Sequence, residues 1–370
     1  MYTSKFTGIG RYTYELVRQM IKINGEKDAK HEFVLFFNSP EYELYECPSN
    51  VKKVLVNAKH YSFDEQMKFC WKLSREKLDT VHFPHFNIPY FYRRPYTMTI
   101  HDLTLSFFPG KKMSKWYHRL AYNIIIDNAV IRAKDIIAVS KNTKKDLMRL
   151  LNVPEDRVRV VYNGVGPEFQ FIQDASLLQK TLDKYNIKKQ FLLYTGVWRD
   201  HKNLVRLLDA FKILVKDKNM NIELVMTGKP DPAYPEVLDT IKKHHLTRDV
   251  ILPGHVSEEE LISLYNSALF YVFPSLYEGF GIPPIEAMRC GTPVLASNTS
   301  SIPEICGEGN AVFFDPYDVK DIAEKIGGLF KDANMQSQLV ANGLTRSMIF
   351  TWEKMGKDTY NIITGKDPNV

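Results

Sequence analysis

The stretch PSLYEGFGIPPIEAMRCGTPV, from Pro274 to Val294, decides the fold of the second half of this chain. It begins in the apolar run LFYVFPS, which predicts a buried strand, and it continues through a glycine turn into IPPIEAMRC, which predicts a helix. Pro283 and Pro284 fit the first helical turn, because an amide hydrogen missing there costs little. Gly291 predicts the end of the helix. A strand, a tight turn and a helix in this order are typical of α/β proteins.

Two glutamates flank this turn. Glu278 is expected at the carboxyl end of the strand, and Glu286 lies about one turn into the helix. Free amides and a positive dipole at a helix start suit a phosphate or a sugar hydroxyl. Two carboxylates beside such a site accept hydrogen bonds from hydroxyls, so the pattern predicts a polyol ligand, such as a sugar together with a ribose. The alternative is structural: Glu286 complements the helix dipole and Glu278 caps a turn.

Short apolar runs alternate with amphipathic segments along most of the chain, which predicts a doubly wound α/β fold with parallel sheets. The pattern occurs twice. The first series of strand candidates is EFVLFF, KKVLVN, YTMTI, DIIAVS and VRVVY, in residues 32–162. The second series is FLLYTG, IELVMTG, DVILPG, LFYVFPS, PVLAS and AVFFD, in residues 191–315.

A polar stretch without strand candidates, residues 164–190, separates the two series and predicts two domains. We expect a first Rossmann-like domain over residues 1–168, a second over residues 185–345, and a C-terminal helix in residues 346–370 that returns to the first domain. Two such domains should bind a ligand in a cleft between them. The first predicted helix starts near Gly10 with no strand candidate ahead of it, so the first sheet is expected to lack a usual member.

Composition narrows the class of protein. A hydrophobic fraction of 44% and a charged fraction of 25% are ordinary for a globular protein. No apolar run is long enough to span a membrane, no secretory leader is evident, and the four cysteines lack metal spacing, which together predict a cytoplasmic protein. No nucleic-acid-binding signature is present, so nucleic acid is not an expected partner.

The net charge of +6 is unevenly distributed, because the excess of lysine and arginine lies up to Gly164. A basic first half suits an anionic lipid surface or a polyanionic substrate. The segments RRP at Arg93 and KKMSKWYHRL at Lys111 would then face the inner leaflet of a membrane. An ordinary lysine-rich surface explains the same charge equally well.

Three further motifs follow predicted strands or precede a helix. TIHDLTL places His101 at the carboxyl end of a strand, where a lone histidine is often structural. FTGIGRY places Gly8 and Gly10 before a helix, but it lacks the third glycine and the preceding strand of a dinucleotide site. TGVWRDHKNL offers the cations Arg199 and Lys202, which an exposed basic loop would also contain.

With these motifs in place, the sequence resembles the retaining GT-B glycosyltransferases of family 4. EGFGIPPIE matches the Glu-x7-Glu motif of that family, and the likeness extends through LLYTGVWRDHKNLVRLLDAF, IHDLTLSFFP, IIAVSKNTKKDL, VVYNGV and TGIGRYTYEL. It covers nearly the whole chain. The resemblance implies the GT-B fold, in which two Rossmann-like domains face a central cleft.

The resemblance also assigns roles around the Glu-x7-Glu motif. In the family, the first glutamate, here Glu278, contacts hydroxyls of the donor sugar. The second, here Glu286, holds the ribose of the nucleotide. Backbone amides around Phe280, Gly281 and Ile282 reach the sugar and the phosphates.

The resemblance places a basic pair in the loop TGVWRDHKNL, where it grips the diphosphate. Lys202 matches the family lysine. Many members have an arginine directly before it, where this chain has His201, and Arg199 lies out of register with that pattern. Cations are needed here because the departing nucleoside diphosphate gains negative charge as the glycosidic bond breaks.

Two positions in the first half also gain roles from the resemblance. The family histidine, here His101, lies beside the donor sugar at the reaction centre, and Asp102 is expected to orient its imidazole. The glycines Gly8 and Gly10 let the backbone approach the donor phosphates.

No Asp-x-Asp motif and no cluster of histidine and cysteine residues offers a metal site, so we expect neither a metal nor another cofactor. Charge neutralisation should then depend on Lys202 and on helix termini. No serine–histidine arrangement of a hydrolase is present.

The resulting hypothesis is a retaining glycosyltransferase that moves a hexose from a nucleoside-diphosphate sugar to a hydroxyl of a glycan or of a lipid-linked acceptor. Likeness to mannosyltransferases of bacterial surface-polysaccharide assembly favours GDP-mannose as the donor. Three alternatives stay open at this point: a GT-B phosphorylase or sugar-nucleotide epimerase, a non-catalytic partner subunit, and a nicotinamide oxidoreductase.

Overall fold

The structure, a computed structural model, describes residues 8–26, 31–58, 62, 64–110 and 116–366. Within these ranges the chain forms two compact units. The first unit is built from the described residues within 8–103, together with residues 116–164 and 351–366, and the second from residues 104–110 and 165–350.

Twelve strands and fifteen α-helices are present in the described residues. The strands are β1 (Phe33–Phe37), β2 (Val51–Leu55), β3 (Val81–Phe83), β4 (Tyr96–Ile100), β5 (Asp135–Ala138), β6 (Val158–Val160), β7 (Phe191–Tyr194), β8 (Glu223–Thr227), β9 (Val250–Gly254), β10 (Phe270–Phe273), β11 (Val294–Ser297) and β12 (Val312–Phe314). The helices are α1 (Ile9–Glu26), α2 (Glu41–Leu44), α3 (Cys70–Arg75), α4 (Thr104–Phe107), α5 (Trp116–Arg132), α6 (Lys141–Leu151), α7 (Ala175–Lys184), α8 (Leu204–Lys212), α9 (Glu236–Lys243), α10 (Glu258–Ser267), α11 (Ile282–Arg289), α12 (Ile302–Cys306), α13 (Val319–Phe330), α14 (Ala333–Ser347) and α15 (Trp352–Ile363).

The first unit contains a four-stranded parallel sheet in the order β3-β4-β5-β6 and a separate parallel pair, β1-β2. Helix α15, from the end of the chain, packs on α1 through a shared apolar core. The approach is close, because a Cβ added to Gly356 would lie 2.3 Å from the Cβ of Gln19. Glycine at this position therefore allows the two helices to touch.

The second unit is a six-stranded parallel sheet in the order β12-β11-β10-β7-β8-β9. The four strands β7, β8, β10 and β11 are buried along their whole length, as strands covered by helices on both faces must be. The chain runs outward from β7 to one edge and then returns to β10 to reach the other. The point where the strand order reverses is therefore the gap between β7 and β10.

These observations confirm the predicted α/β fold class with parallel sheets in two units. Every strand candidate corresponds to an observed strand, and the prediction omitted only β3, whose three residues VHF are too short to show a pattern. Residues 1–7, where no first strand was predicted, lie outside the described residues.

The domain boundaries differ in two places from the prediction. The division lies between Gly164 and Val165 rather than after residue 168, and residues 104–110, predicted in the first domain, belong to the second unit. Helix α14 ends at Ser347, beyond the predicted limit of residue 345. The polar loop after Gly164 contains no pattern that marks the exact residue of the boundary. The segment of seven residues, 104–110, is too short for its sequence to show which unit it packs on.

Candidate active site

The strand reversal in the second unit determines where a ligand can bind. In an open parallel sheet, loops that leave the carboxyl ends of the two strands at the reversal diverge and leave a crevice. The loop after β7 contains Arg199 and Lys202, and the loop after β10 contains Glu278. Both predicted groups of site residues in this unit therefore lie on the loops that border this crevice.

Hydrogen bonds join these two loops. The side-chain amide of Asn203 donates to the carbonyl oxygens of Pro274 at 3.0 Å and of Pro316 at 2.7 Å. The backbone amide of Leu276 donates to the carbonyl oxygen of His201 at 2.7 Å. Asn203 is buried and adopts a left-handed backbone (φ 60°), which asparagine tolerates better than most residues. The two loops therefore hold each other in place.

Lys202 and Glu278 form an ion pair across this junction. The distance from Lys202 Nζ to Glu278 Oε1 is 2.6 Å, and each side chain is only 15% exposed. The ammonium group also lies 5.7 Å from the centre of the Phe273 ring. The structure thus brings together the cation predicted for a diphosphate and the carboxylate predicted for a sugar. An ammonium has three donors, so the ion pair leaves Lys202 capacity for an anionic ligand.

Two serines from the loop after β11 fix the turn that carries Glu278. Ser300 accepts a hydrogen bond from the Glu278 amide at 2.9 Å, and its hydroxyl donates to the Glu278 carbonyl oxygen at 2.6 Å. The Ser301 hydroxyl lies 2.9 Å from the carbonyl oxygens of Glu278 and Phe280. Gly281 then adopts φ 99°, a conformation open to glycine, and α11 starts at Ile282. The predicted donor-binding amides therefore lie on a restrained turn.

Glu286 ends a chain of buried hydroxyl groups. Tyr265 donates to Glu286 Oε2 at 3.0 Å, and Thr195 Oγ1 lies 3.1 Å from the hydroxyls of both Tyr265 and Tyr271. An ionised carboxylate can only accept, and each hydroxyl has one proton to donate. The order of donation is therefore Tyr271 to Thr195, Thr195 to Tyr265, and Tyr265 to Glu286.

The electrostatics of this hydroxyl chain favour the protonated phenols. Burial raises the pKa of Tyr265 well above its ordinary value, and the nearby Glu286 carboxylate raises it further. Burial likewise raises the pKa of Tyr271. Both phenols consequently stay protonated near neutral pH and act as donors, which keeps the order of donation fixed and directs it at the carboxylate of Glu286.

Arg199 has a different environment from Lys202. Its guanidinium pairs with the carboxylate of Asp231 and lies 5.3 Å from the centre of the Tyr234 ring. A second hydrogen bond joins Nη1 to the carbonyl oxygen of Trp198 at 3.0 Å. The structure therefore engages this side chain with residues of the loop after β8, and its part in donor binding stays a prediction.

The segment 104–110 contacts both the loop after β7 and the loop after β10. The Phe107 ring lies 4.7 Å from the Tyr277 ring, and the Phe108 ring lies 6.2 Å from the His201 ring, measured between centroids. Tyr277 directly precedes Glu278, and His201 directly precedes Lys202. Sequence reasoning missed this support, because two phenylalanines after a histidine motif look like an ordinary apolar turn.

In the first unit, His101 lies at the carboxyl end of β4 as predicted. Its Nε2 is 2.8 Å from the carbonyl oxygen of Pro84, which can only accept, so Nε2 carries the proton and Nδ1 is the free acceptor. Burial lowers the pKa of His101, although the nearby Asp102 acts in the opposite direction. The imidazole is thus held neutral in one tautomer.

The start of α1 lies beside this histidine. The Tyr12 ring meets the His101 ring edge to face at 4.6 Å, and the Tyr12 hydroxyl pairs with Thr99 Oγ1 at 2.9 Å. Gly8 has a left-handed backbone (φ 66°) and open space where a Cβ would lie, and Gly10 is buried in the first turn of α1. The predicted glycines and histidine of the first half therefore share one edge of its sheet.

Sequence reasoning missed the polar residues behind these groups, namely His82, Thr99, Thr195, Tyr265, Ser300 and Ser301. Most have the spacing of core positions, so no local signal separates them from packing residues. In the part of the chain that the structure describes, no group of three or more His, Cys, Asp or Glu residues could hold a metal ion.

Comparisons with known proteins cover both units. Residues 6–169 match the family model for glycosyltransferase family 4, and residues 179–346 match the model for glycosyl transferases group 1. The serotype-specific mannosyltransferase WbdA of Escherichia coli is 34% identical over 224 residues, which are 60% of this chain. That match spans only 27% of the length of WbdA.

Two further proteins are similar over nearly their whole length. The O-antigen chain mannosyltransferase B of Escherichia coli is 29% identical over 371 residues, covering 96% of this chain and 95% of the relative. The structure of Anabaena Alr3699/HepE in complex with UDP and glucose superposes with a TM-score of 0.73 at 17% identity, covering 98% of each chain. This likeness in structure confirms the predicted GT-B fold.

Proposed function

The chain belongs to the glycosyl transferases group 1 and glycosyltransferase family 4, and we propose that it transfers a hexose from a nucleoside-diphosphate sugar to an acceptor hydroxyl. The observation that carries the proposal is the ion pair of Lys202 with Glu278 at the strand reversal. A cation and a sugar-binding carboxylate lie there on two loops that are joined by hydrogen bonds.

In the proposed reaction, the diphosphate binds against Lys202 and the start of α11. Negative charge grows on the leaving phosphate as the glycosidic bond breaks, so a fixed cation and helix amides stabilise the transition state more than the bound donor. The donor hydroxyls are contacted by Glu278, and the ribose by Glu286. Because Tyr265 holds the carboxylate of Glu286, that group meets the ribose with its orientation already set.

We propose that the anomeric configuration is retained through attack on the face from which the diphosphate departs. The acceptor oxygen forms the new bond to the anomeric carbon, the phosphate oxygen leaves with the bonding electron pair, and that phosphate oxygen takes the acceptor proton. Glu278 is engaged by Lys202 and serves as a hydrogen-bond acceptor rather than as a nucleophile. Neutral His101, with Nδ1 as the acceptor, contributes a hydrogen bond to the sugar.

Mannose is the favoured sugar and GDP-mannose the favoured donor. The two relatives described above are named as mannosyltransferases, and one is named for O-antigen chains. A neighbouring fold has been solved with UDP and glucose, which is the same chemical class of nucleotide and hexose. We therefore place the reaction in surface-polysaccharide synthesis, with a glycan or a lipid-linked glycan as the acceptor.

We further propose that the reaction takes place at the cytoplasmic face of a membrane, where a lipid-linked acceptor would be presented. No helix within the described residues combines the length and the apolar character needed to cross a bilayer. Any association with a membrane through these residues would therefore be peripheral.

A panel of nucleotide sugars, screened by the shift of the unfolding temperature and then by turnover, tests the proposal. We expect stabilisation by GDP-mannose and release of GDP only when an acceptor glycan is present. Proton coupling at the new anomeric centre, measured by NMR, should report retention. Release of GDP at the same rate without acceptor would instead indicate a hydrolase, and a cooperatively folding chain that binds no nucleotide sugar would indicate a non-catalytic subunit.

A further inference from the structure

The proposed function requires the ring of His101 to present Nδ1 in one direction. Its Nε2 is anchored to the carbonyl oxygen of Pro84 at 2.8 Å. In an imidazole, Nε2 lies closer than Nδ1 to the Cβ–Cγ axis about which the ring turns. A rotation that the Pro84 bond tolerates therefore displaces Nδ1 further, and this side-chain torsion has only broad preferences of its own. The plane of the ring depends on its other neighbours.

The ring of Tyr12 restrains this plane. It meets the His101 ring at 84° with centroids 4.6 Å apart, an edge-to-face arrangement that aromatic rings favour. Turning the imidazole about its Cβ–Cγ bond would break this arrangement. Tyr12 lies in the first turn of α1 and is only 2% exposed. The orientation of His101 therefore depends on how firmly Tyr12 is held.

Two threonines hold the hydroxyl of Tyr12. Oγ1 of Thr99, on β4, lies 2.9 Å from it, and Thr359, on α15, also shares a hydrogen bond with it. Both threonines are fully buried. Burial raises the pKa of Tyr12 to about 12, although the two hydrogen bonds act in the opposite direction, so the phenol stays protonated near neutral pH. The ring is thus fixed from two elements besides its own helix.

The hydrogen bonds around Tyr12 have one consistent order of donation. Thr99 Oγ1 lies 3.2 Å from Nε2 of His82, whose Nδ1 is buried without a partner among the described residues. Burial lowers the pKa of His82 to about 3, so this ring carries one proton, and a buried N–H without a partner is rare. Nε2 of His82 therefore donates to Thr99, and Thr99 donates to Tyr12. The proton of Tyr12 is left for Thr359, whose own hydroxyl lies 3.8 Å from the sulfur of Met355.

Thr359 lies on the face of α15 that packs on α1. It follows Trp352 and Met355 by seven and four residues, which places all three on one side of the helix. This side belongs to the apolar core that α15 shares with α1. A hydroxyl buried in such a stripe costs free energy unless it is hydrogen-bonded. The phenol of Tyr12 supplies that partner.

We propose that Tyr12 is a positioning residue for His101, and that Thr359 makes the C-terminal helix α15 part of this support. The inference rests on the proposed function, in which Nδ1 of His101 contacts the sugar. It adds to that function a residue that acts only through the histidine. A helix from the end of the chain then affects the reaction centre through a single phenol.

The alternative is that Tyr12 only fills the core. A packing residue needs no hydroxyl, and its loss would lower stability without changing His101. Tyr360 offers the matched comparison, because it lies in the same core and its buried hydroxyl donates to Asn24 Oδ1 at 3.4 Å. Tyr360→Phe therefore removes the same atom from the same interface of α15 and α1, but not from the chain of hydrogen bonds that reaches His101.

Steady-state kinetics of the full chain test the inference. Tyr12→Phe keeps the ring and removes the hydroxyl that anchors it. We expect kcat to fall about fivefold while the KM of the donor stays, because the groups assigned to the diphosphate and the ribose lie in the second unit. In a His101→Ala background the same substitution should change kcat by less than about twofold, since no imidazole is left to orient. Thr359→Val should lower kcat about twofold, and Tyr360→Phe should leave it unchanged.

A measurement without turnover separates this inference from the proposed function. NMR relaxation of ¹³C-labelled histidine gives the order parameter of the His101 ring. Tyr12→Phe should lower that order parameter and Thr359→Val should lower it less, whereas Tyr360→Phe should leave it unchanged. If Tyr12→Phe does not fold, Thr359→Val decides the question by the same two measurements.

The inference stands only if kcat and the order parameter of His101 both fall in Tyr12→Phe. It is overturned if either stays, if Tyr360→Phe has equal effects, or if kcat falls as far in the His101→Ala background. If the unchanged chain transfers no sugar, the proposed function fails, and the order parameter alone decides whether Tyr12 holds the ring. Normal turnover in Tyr12→Phe with an unchanged ring refutes only the positioning.

Discussion

Replacing Tyr265 by phenylalanine tests whether the hydroxyl chain orients Glu286. Tyr265→Phe removes the donor to Glu286 Oε2 and the partner of Thr195, while the ring and its packing stay. The remaining carboxylate has one fewer constraint on its rotamer. We expect the fold to persist with a loss of roughly 1–2 kcal/mol in the free energy of unfolding, since two hydrogen bonds disappear.

The effect on nucleotide binding is specific. A hydrogen bond from a ribose hydroxyl to a charged carboxylate contributes roughly 1.5–3 kcal/mol, so the unchanged chain should prefer GDP over its 2′,3′-dideoxy analogue by about tenfold or more. In Tyr265→Phe that preference should fall by about tenfold, because Glu286 no longer meets the ribose in a fixed orientation. Calorimetric titration of the two nucleotides measures the ratio.

Tyr271→Phe is the matched control. Tyr271 is as buried as Tyr265 and shares the contact with Thr195, but it lies at the far end of the hydroxyl chain, and the hydroxyl bonded to Glu286 is that of Tyr265. Its removal should lower stability while the preference for ribose stays. If Tyr265→Phe keeps the preference of the unchanged chain, or if Tyr271→Phe loses it equally, the reasoning about orientation is refuted.

Lys202→Ala should lower turnover at least tenfold, which corresponds to about 1.4 kcal/mol of activation free energy. Lys212→Ala, which removes an exposed ion pair, is the control and should leave turnover unchanged. Equal rates for the two variants in steady-state assays would contradict the role of Lys202. Gly164→Ala should lower the unfolding temperature sharply, because its Cβ would lie 2.3 Å from a backbone nitrogen of α15, whereas Gly309→Ala, which would meet nothing but has φ 76°, should cost less. Burial lowers the pKa of His82 to about 3, so below about pH 6.5 the unfolded chain binds a proton that the folded chain does not. As the pH is lowered from about 6.5 towards 3, the free energy of unfolding should therefore fall by up to ~1.4 kcal/mol per pH unit. Urea titrations at several pH values should show that His82→Asn loses this part of the pH dependence.

Much of the fold could be predicted because buried parallel strands have a distinctive pattern of apolar residues in the sequence. Runs such as LFYVFPS and FLLYTG are apolar on both faces, and only strands between two helix layers need that. Glu278 and Lys202 could be placed for a related reason. Each follows such a run directly, and the carboxyl ends of parallel strands meet at one edge of the sheet.

The rest depends on contacts between residues far apart in the chain. Tyr265 follows an apolar pattern in α10 and cannot be distinguished from a core residue until Glu286, 21 positions later, is seen beside it. Phe107 and Phe108 look like part of the first domain because they follow His101, and only the folded chain shows them against the loops of the second unit. The spacing of residues in the sequence does not predict such long-range contacts.

The packing of α15 on α1 has a consequence for how the protein is made. The first unit draws on both early and late parts of the chain, so it stays unfinished until the ribosome has released α15. The second unit, by contrast, has all its residues once synthesis passes Phe350. We expect the later-encoded unit to mature first, leaving the apolar side of α1 in need of a chaperone during translation.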